Sequence, residues 1–243
     1  MTKFFVEPIQ LDSESPVLVG ENAKHAKVLR LKAGEEVLLC DGEGRECLCT
    51  VTVVSDNQID LMVNQRRNSE TEARVRVSVY MAFPKADKLE HVIQKATELG
   101  AYEIVAFPSS RCISKPDDKS LGKKLERWQK IAASAAEQSG RGRIPQVLTL
   151  PSYKAALERA AQADKPLMFY ENERATTLRM ALETGPYETV SLLTGPEGGL
   201  TEAEVAQALD AGLSVCTLGK RILRCETAPL CALSAVMYDA GEF

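Results

Sequence analysis

The chain has 243 residues, of which 44% are hydrophobic and 26% charged, with a formal net charge of −4. That length and composition suit a globular chain of one large or two ordinary domains with a real core, and the acidic balance argues against a simple nucleic-acid coat. The N-terminal stretch "MTKFFVEPIQ" has no apolar signal core, and no run approaches the roughly 18 apolar residues of a membrane span, so a cytoplasmic protein is expected.

From about Lys3 to Val63 the chain reads as short β segments between turn signals. Asp41-Gly42 and Asp56-Asn57 separate β-branched runs, as in a small barrel or sandwich. Residues 1–72 carry 8 Lys and Arg against 13 Asp and Glu, and His25, Lys27, Arg30 and Lys32 form their only basic cluster. "QRRNSETEAR" has linker composition and divides a domain of residues 1–70 from one of residues 73–243.

Beyond the linker, strand and helix alternate. "VRVSVYMAF" predicts a strand, and "KLEHVIQKATELG" predicts a helix with Leu89, Val92, Ile93, Ala96 and Leu99 at helical spacing, ended by Gly100. "EIVAF" is the next strand. "KKLERWQKIAASAAEQ" follows as a helix, with Leu125, Trp128, Ile131 and Ala135 on one stripe. "PLMFY" and "TVSLLTG" are strands, and "TEAEVAQALDAG" is a helix opened by a Thr201–Glu204 capping box. "SVCTLG" is the last strand, and "TAPLCALSAVMYDA" closes the chain as a helix with Pro229 in its first turn. The alternation predicts an α/β domain with a largely parallel sheet.

Ligands of such sheets gather at the carboxyl ends of strands. Two of these ends carry an immediate glycine: Thr194-Gly195-Pro196-Glu197-Gly198-Gly199, and "LGKRILRCETA" from Leu218 to Ala228. Neither is a P-loop, no GxGxxG follows a strand, and no GxSxG elbow is present. Seven cysteines without a CxxC pair read as reduced thiols, mostly core, and two histidines leave a metal site hard to assemble, so no metal is expected. Residues 111–143 hold nine basic residues (Arg111, Lys115, Lys119, Lys123, Lys124, Arg127, Lys130, Arg141, Arg143) against four acids. Such a run fits either a phosphate-bearing partner or a solvated helix face.

"LLTGPEGGLTEAE", followed some twenty residues on by "LGKRILRCETAPLCALSAV", resembles the two AdoMet-binding loops of the SPOUT methyltransferases. More closely, it is similar to the RsmE family of 16S ribosomal RNA uridine-N3 methyltransferases, which act in the decoding region. "HAKVLRLKAGEEVLLCDGEG", "KLEHVIQKATELG" and "WQKIAASAAEQSGRGRIP" agree, so the resemblance covers nearly the whole chain. It implies a SPOUT-type parallel sheet with a C-terminal trefoil knot, made by threading roughly residues 218–243, and a PUA-like N-terminal β-barrel that binds RNA. It also implies a homodimer with its site at the subunit interface, acting on 16S ribosomal RNA in an assembled small subunit.

On this resemblance, S-adenosyl-L-methionine (AdoMet) is held largely by backbone from Leu193, Thr194, Gly195, Pro196, Glu197 and Gly198. Leu218, Gly219, Arg221, Ile222, Leu223, Arg224 and Thr227 supply the other loop, with Ile222 and Leu223 flanking the adenine. A neutral imide nitrogen is a poor nucleophile, so uridine N3 needs a general base or a cation that stabilises its anion. Glu137, Arg141, Glu197 and Arg224 are the candidates. Glu197 could equally shape the pocket, and Arg141 could instead contact a phosphate. His25, Lys27, Arg30, Lys32, Lys88, Lys95, Arg111 and Arg143 are expected on the RNA side. Trp128 and His91 read as structural. Two rival readings are a ribose 2′-O-methyltransferase of SpoU type, disfavoured by the absence of an Asn-rich second loop, and a non-catalytic RNA-binding assembly factor.

Overall fold

A computed structural model describes residues 1–113, 116 and 118–243, and divides them into two compact units. The first comprises Met1–Glu72 with Ala136–Ile144, and the second comprises Ala73–Ala135 with Pro145–Phe243. The nine residues 136–144 thus cluster with the N-terminal part, although the sequence boundary near residue 72 places them in the second.

The first unit is a curled five-stranded sheet. Its strands are β1 (Thr2–Phe5), β2 (Val17–Val19), β3 (Glu36–Cys40), β4 (Arg45–Val54) and β5 (Gln58–Asn68), in the order β1-β3-β4-β5-β2. Only β1 and β3 pair in parallel. Alternation along β4 turns Cys47, Cys49 and Val51 inward, onto a core of Phe4, Leu18, Leu39, Ile59 and Leu61. Two short helices, α1 (Pro8–Asp12) and α2 (Gly20–Val28), accompany the expected strands. The sequence conceals α2 because its polar residues crowd the helix and only Ala23 and Ala26 are buried.

The second unit is a six-stranded sheet, parallel throughout. In chain order it contains β6 (Arg76–Ala82), α3 (Lys88–Glu98), β7 (Glu103–Phe107), α4 (Asp118–Ser139), β8 (Gln146–Thr149), α5 (Tyr153–Ala160), β9 (Lys165–Phe169), α6 (Leu178–Leu182), β10 (Thr189–Thr194), α7 (Glu202–Asp210), β11 (Ser214–Cys216) and α8 (Thr227–Asp239). The strand order is β11-β9-β10-β6-β7-β8. β8, α5 and α6 carry no marked periodicity because they span only four, eight and five residues.

Central strands of a sheet covered on both faces read as unbroken apolar runs, and "SLLT" of β10 is buried throughout. α3 buries Leu89, Val92, Ile93 and Ala96, and Gly100 ends it at φ +93. Trp128 of α4 is buried, with its ring 6.5 Å from that of Phe83, as a core residue should be. No described helix is long and apolar enough to cross a membrane.

Candidate functional site

β11, β9, β10 and β6 are neighbours in the sheet, and the segments leaving their carboxyl ends enclose a cavity of about 500 Å³. Thr194 to Leu200 form one wall, and Thr217 to Cys225 form another. Phe169, Tyr170, Glu171 and Arg174, from the end of β9, supply a third, and Lys88 and Ala228 complete the lining.

The first wall turns sharply. The Gly199 N–H donates to the Pro196 carbonyl at 2.9 Å, and a Cβ on Gly195 would lie only 3.0 Å from Leu200 Cγ. Gly199 has φ +67, and a Cβ there would overlap the Glu171 carboxylate. The corner is braced from behind. The Arg111 guanidinium donates to the carbonyls of Gly198 (2.8 Å) and Leu200 (3.3 Å). The capping box of α7 is complete: the Glu204 N–H donates to Thr201 Oγ1 at 3.2 Å, and the Thr201 N–H donates to Glu204 Oε2 at 2.8 Å. Glu204 also accepts the Ser110 N–H at 2.8 Å. Burial works against its ionised form, but these hydrogen bonds outweigh it and hold the carboxyl below its ordinary range.

In the second wall, Gly219 adopts φ +104 and its N–H donates to Thr217 Oγ1 at 3.2 Å. Ile222 is 82% exposed, and Arg221 and Arg224 are also exposed. The two walls meet through Lys88. Its Nζ lies 3.2 Å from Glu197 Oε1 and 3.0 Å from Glu226 Oε2, while the Lys85 N–H donates to Glu197 Oε1 at 2.9 Å. Burial disfavours both ionised carboxylates, yet hydrogen bonds and the Lys88 ammonium overcome it. Glu197 is held below its usual range and Glu226 falls to about 2. A carboxylate so engaged is a weak base.

Eleven of the thirteen expected cofactor residues line this cavity: Thr194 to Gly198, Leu218, Gly219 and Arg221 to Arg224. Leu193 is buried in the core, and Thr227 begins α8; neither is among the lining residues. Of the four catalytic candidates, Glu197 and Arg224 line it, whereas Glu137 and Arg141 lie in the first unit. Glu137 Oε1 faces His25 Nδ1 at 3.2 Å, and the His25 ring packs edge-on against Phe4. Arg141 is buried, with Nη2 2.7 Å from Glu72 Oε2.

The expected RNA residues are scattered. His25 and Lys27 lie in the last turn of α2, and Lys27 reaches Asp56; Arg30 and Lys32 follow, exposed, with Arg30 at φ +56. Arg143 donates to the Glu43 carbonyl at 2.9 Å, and Lys95 pairs with Glu98 at 2.8 Å. Lys88 and Arg111 belong to the cavity and to its brace. Of the basic run, Lys119, Lys123, Lys124, Arg127 and Lys130 are exposed on α4, and Lys115 lies outside the described residues. All seven cysteines are free thiols: four are buried, Cys112 is half-buried, Cys225 faces the cavity and Cys231 is exposed. No group of three metal-ligating side chains forms among the described residues.

The end of β9 escaped sequence reasoning, although the rule that found the other two loops applies to it equally. Its strand "PLMFY" is recognisable, but "ENERA" after it has no immediate glycine to mark a corner.

The family model of an RNA methyltransferase domain matches residues 71–237, and that of an RNA methyltransferase PUA domain matches residues 18–63. The ribosomal RNA small subunit methyltransferase E of Bacillus subtilis is 38% identical, covering 98% of this chain and 97% of its own. That of Mycobacterium bovis is 34% identical over 96% of this chain and 90% of its own. The chain belongs to the ribosomal RNA small subunit methyltransferase E family. The family's crystal structure from Neisseria gonorrhoeae, bound to S-adenosyl methionine, superposes with a TM-score of 0.84 at 32% identity, over 98% of this chain and 97% of that one. The α/β class and the parallel sheet are those that the strand–helix alternation predicts, and the PUA domain is the one that the resemblance implies.

Proposed function

We propose that this chain transfers the methyl group of AdoMet to N3 of a uridine in 16S ribosomal RNA, acting in the cytoplasm as a homodimer on the assembled small subunit. The observation that carries the reading is the cavity at the carboxyl edge of a parallel sheet, walled by both glycine corners, in a chain of this family. The residues present suit the cofactor. A cavity of about 500 Å³ is the size of a pocket for such a ligand. Leu218, Ile222 and Leu223 offer apolar surface, Gly195, Gly198 and Gly219 bring backbone to the lining, and Glu171, Glu197 and Arg174 offer both signs of charge.

When bound, AdoMet supplies a methyl group already activated by its sulfonium. The protein's remaining tasks are alignment and making N3 nucleophilic. Glu197 is committed to Lys85 and Lys88, so we assign it to shaping the wall. Arg224 lines the cavity and has no ion-pair partner among the described residues. We assign to its guanidinium the stabilisation of negative charge on the uracil ring as N3 loses its proton. For RNA we assign the exposed cations of the PUA-side unit, Lys27, Arg30 and Lys32, together with Lys119, Lys123 and Lys130 of α4. We also read residues 218–243 as threaded through a knot: β11 is an edge strand, yet α8 after it packs on α3, β6 and β10 in the middle of the unit.

Nucleoside mass spectrometry of small-subunit RNA from cells lacking the protein tests the reading. One 3-methyluridine should be missing and should return with the wild-type chain. An unchanged methyluridine content, or a missing ribose 2′-O-methyl group, would overturn it.

A further inference from the structure

Lys88 stands at the first position of α3, far in sequence from both cavity walls, yet its ammonium touches a carboxylate of the first and one at the residue that follows the second. The groups that face it are Glu197 from the first wall, and Cys225 (Sγ at 3.7 Å) and Glu226 from the second. Without the ammonium, two carboxylates would face one site with no cation between them, and repulsion would drive the walls apart.

The segment leading to Lys88 is itself constrained. Ala86 adopts φ +52, a left-handed conformation that crowds the Cβ of a non-glycine residue. This turn lies between Lys85, whose N–H donates to Glu197, and Lys88, whose ammonium pairs with the same carboxylate. Strained backbone persists where surrounding contacts over-determine it. Here the contact is the first cavity wall.

We propose that Lys88 is a positioning residue that straps the Glu197 corner to the Glu226 end of the second loop, setting the width of the cofactor cavity before any ligand enters. The strap rests on the cofactor reading of that cavity for its use, but not for its existence. Lys88 touches neither reacting atom; it acts through the two loops.

Hydrogen exchange on the full-length protein without cofactor tests the strap directly. Lys88→Met removes the charge and keeps most of the stem. It should accelerate amide exchange in residues 197–200 and 224–227 together, leaving α5 and β9 unchanged. Calorimetry should show AdoMet binding about tenfold weaker, the equivalent of about 1.4 kcal/mol. In Lys88→Met, affinity should improve as pH falls from 6 towards 4 and the carboxylates that have lost the ammonium begin to protonate. Wild-type affinity should stay level over that range, because its two carboxylates are held low. Lys88→Arg should restore most of the affinity, and adding Glu226→Gln to Lys88→Met should restore part of it.

Faster exchange in only one loop, or in neither, would overturn the strap, as would a loss of affinity that neither rescue nor pH relieves. If wild-type protein failed to bind AdoMet while Lys88→Met still loosened both loops, the cofactor reading would fall and the strap would stand.

Discussion

Residues 140–143 and 194–200 are both glycine-rich corners with a charged side chain among the glycines, yet they use that charge in opposite ways. In the first, Arg141 is buried against Glu72, whose carboxylate also accepts the N–H groups of Gly142 (3.0 Å) and Arg143 (3.1 Å). Gly142 is required because a Cβ there would overlap the Ser69 side chain. The corner is closed on its own chain. In the second, the glycines leave a cavity wall bare, Glu197 is tied through Lys88 to the facing loop, and Arg224 in that loop is unpaired among the described residues. A cation sealed under a carboxylate contributes to stability. One facing a cavity without a partner is available to a developing negative charge.

The difference is sharpest in what each arginine should cost when removed. Arg141→Ala would leave the Glu72 carboxylate, which is 18% exposed, with backbone N–H donors but no cation, and should destabilise the chain by about 3 kcal/mol in denaturant unfolding. AdoMet affinity per folded molecule should hold. Lost methyl transfer with stability intact would instead assign Arg141 to chemistry and erase the distinction. Arg224→Ala should do the reverse: methyl transfer slower by about 100-fold, with Tm and AdoMet affinity kept. A matching fall in affinity would make Arg224 part of the cofactor's seat.

Smaller effects refine the same contrast. Gly199→Ala places a side chain at φ +67 against Glu171 and should weaken AdoMet binding by about tenfold. Adding Glu171→Ala should recover part of that loss; no recovery would mean that backbone strain alone is responsible. Lys32→Ala, exposed in the first unit, should leave Tm unchanged and weaken ribosomal RNA binding a few-fold. Its plot of log affinity against log salt should be shallower by about 0.7 to 0.9. An unchanged slope would place the RNA elsewhere.

Much of the fold was legible because its signals are local. The runs "VRVSVYMAF", "EIVAF" and "TVSLLTG" mark strands buried on both faces, and Thr201 and Glu204 announce a helix start that the structure completes atom by atom. Both cavity corners were legible for the same reason, since a glycine right after a strand is visible in the string. What was not legible depends on distant partners. Nothing near Arg141 indicates that Glu72, 69 residues earlier, will pair with it, so the sequence offers this arginine as a catalytic or phosphate-contacting residue instead of a clasp. Lys88 and Lys95 share a helical face, but only the fold shows that one straps two loops while the other pairs with Glu98. Glu171 and Arg174 follow a strand whose end lacks the glycine that drew attention to the others.

In the proposed function, the two-corner cavity serves methyl transfer to a uracil N3 in small-subunit RNA. Purified protein, labelled AdoMet and either small subunits or free 16S RNA from cells lacking the enzyme test it most directly, with nucleosides resolved by mass spectrometry. One methyl group per small subunit is expected, recovered as 3-methyluridine, with little label on free RNA and about 100-fold slower labelling by Arg224→Ala. No incorporation, or label recovered on a ribose 2′-oxygen, would contradict it.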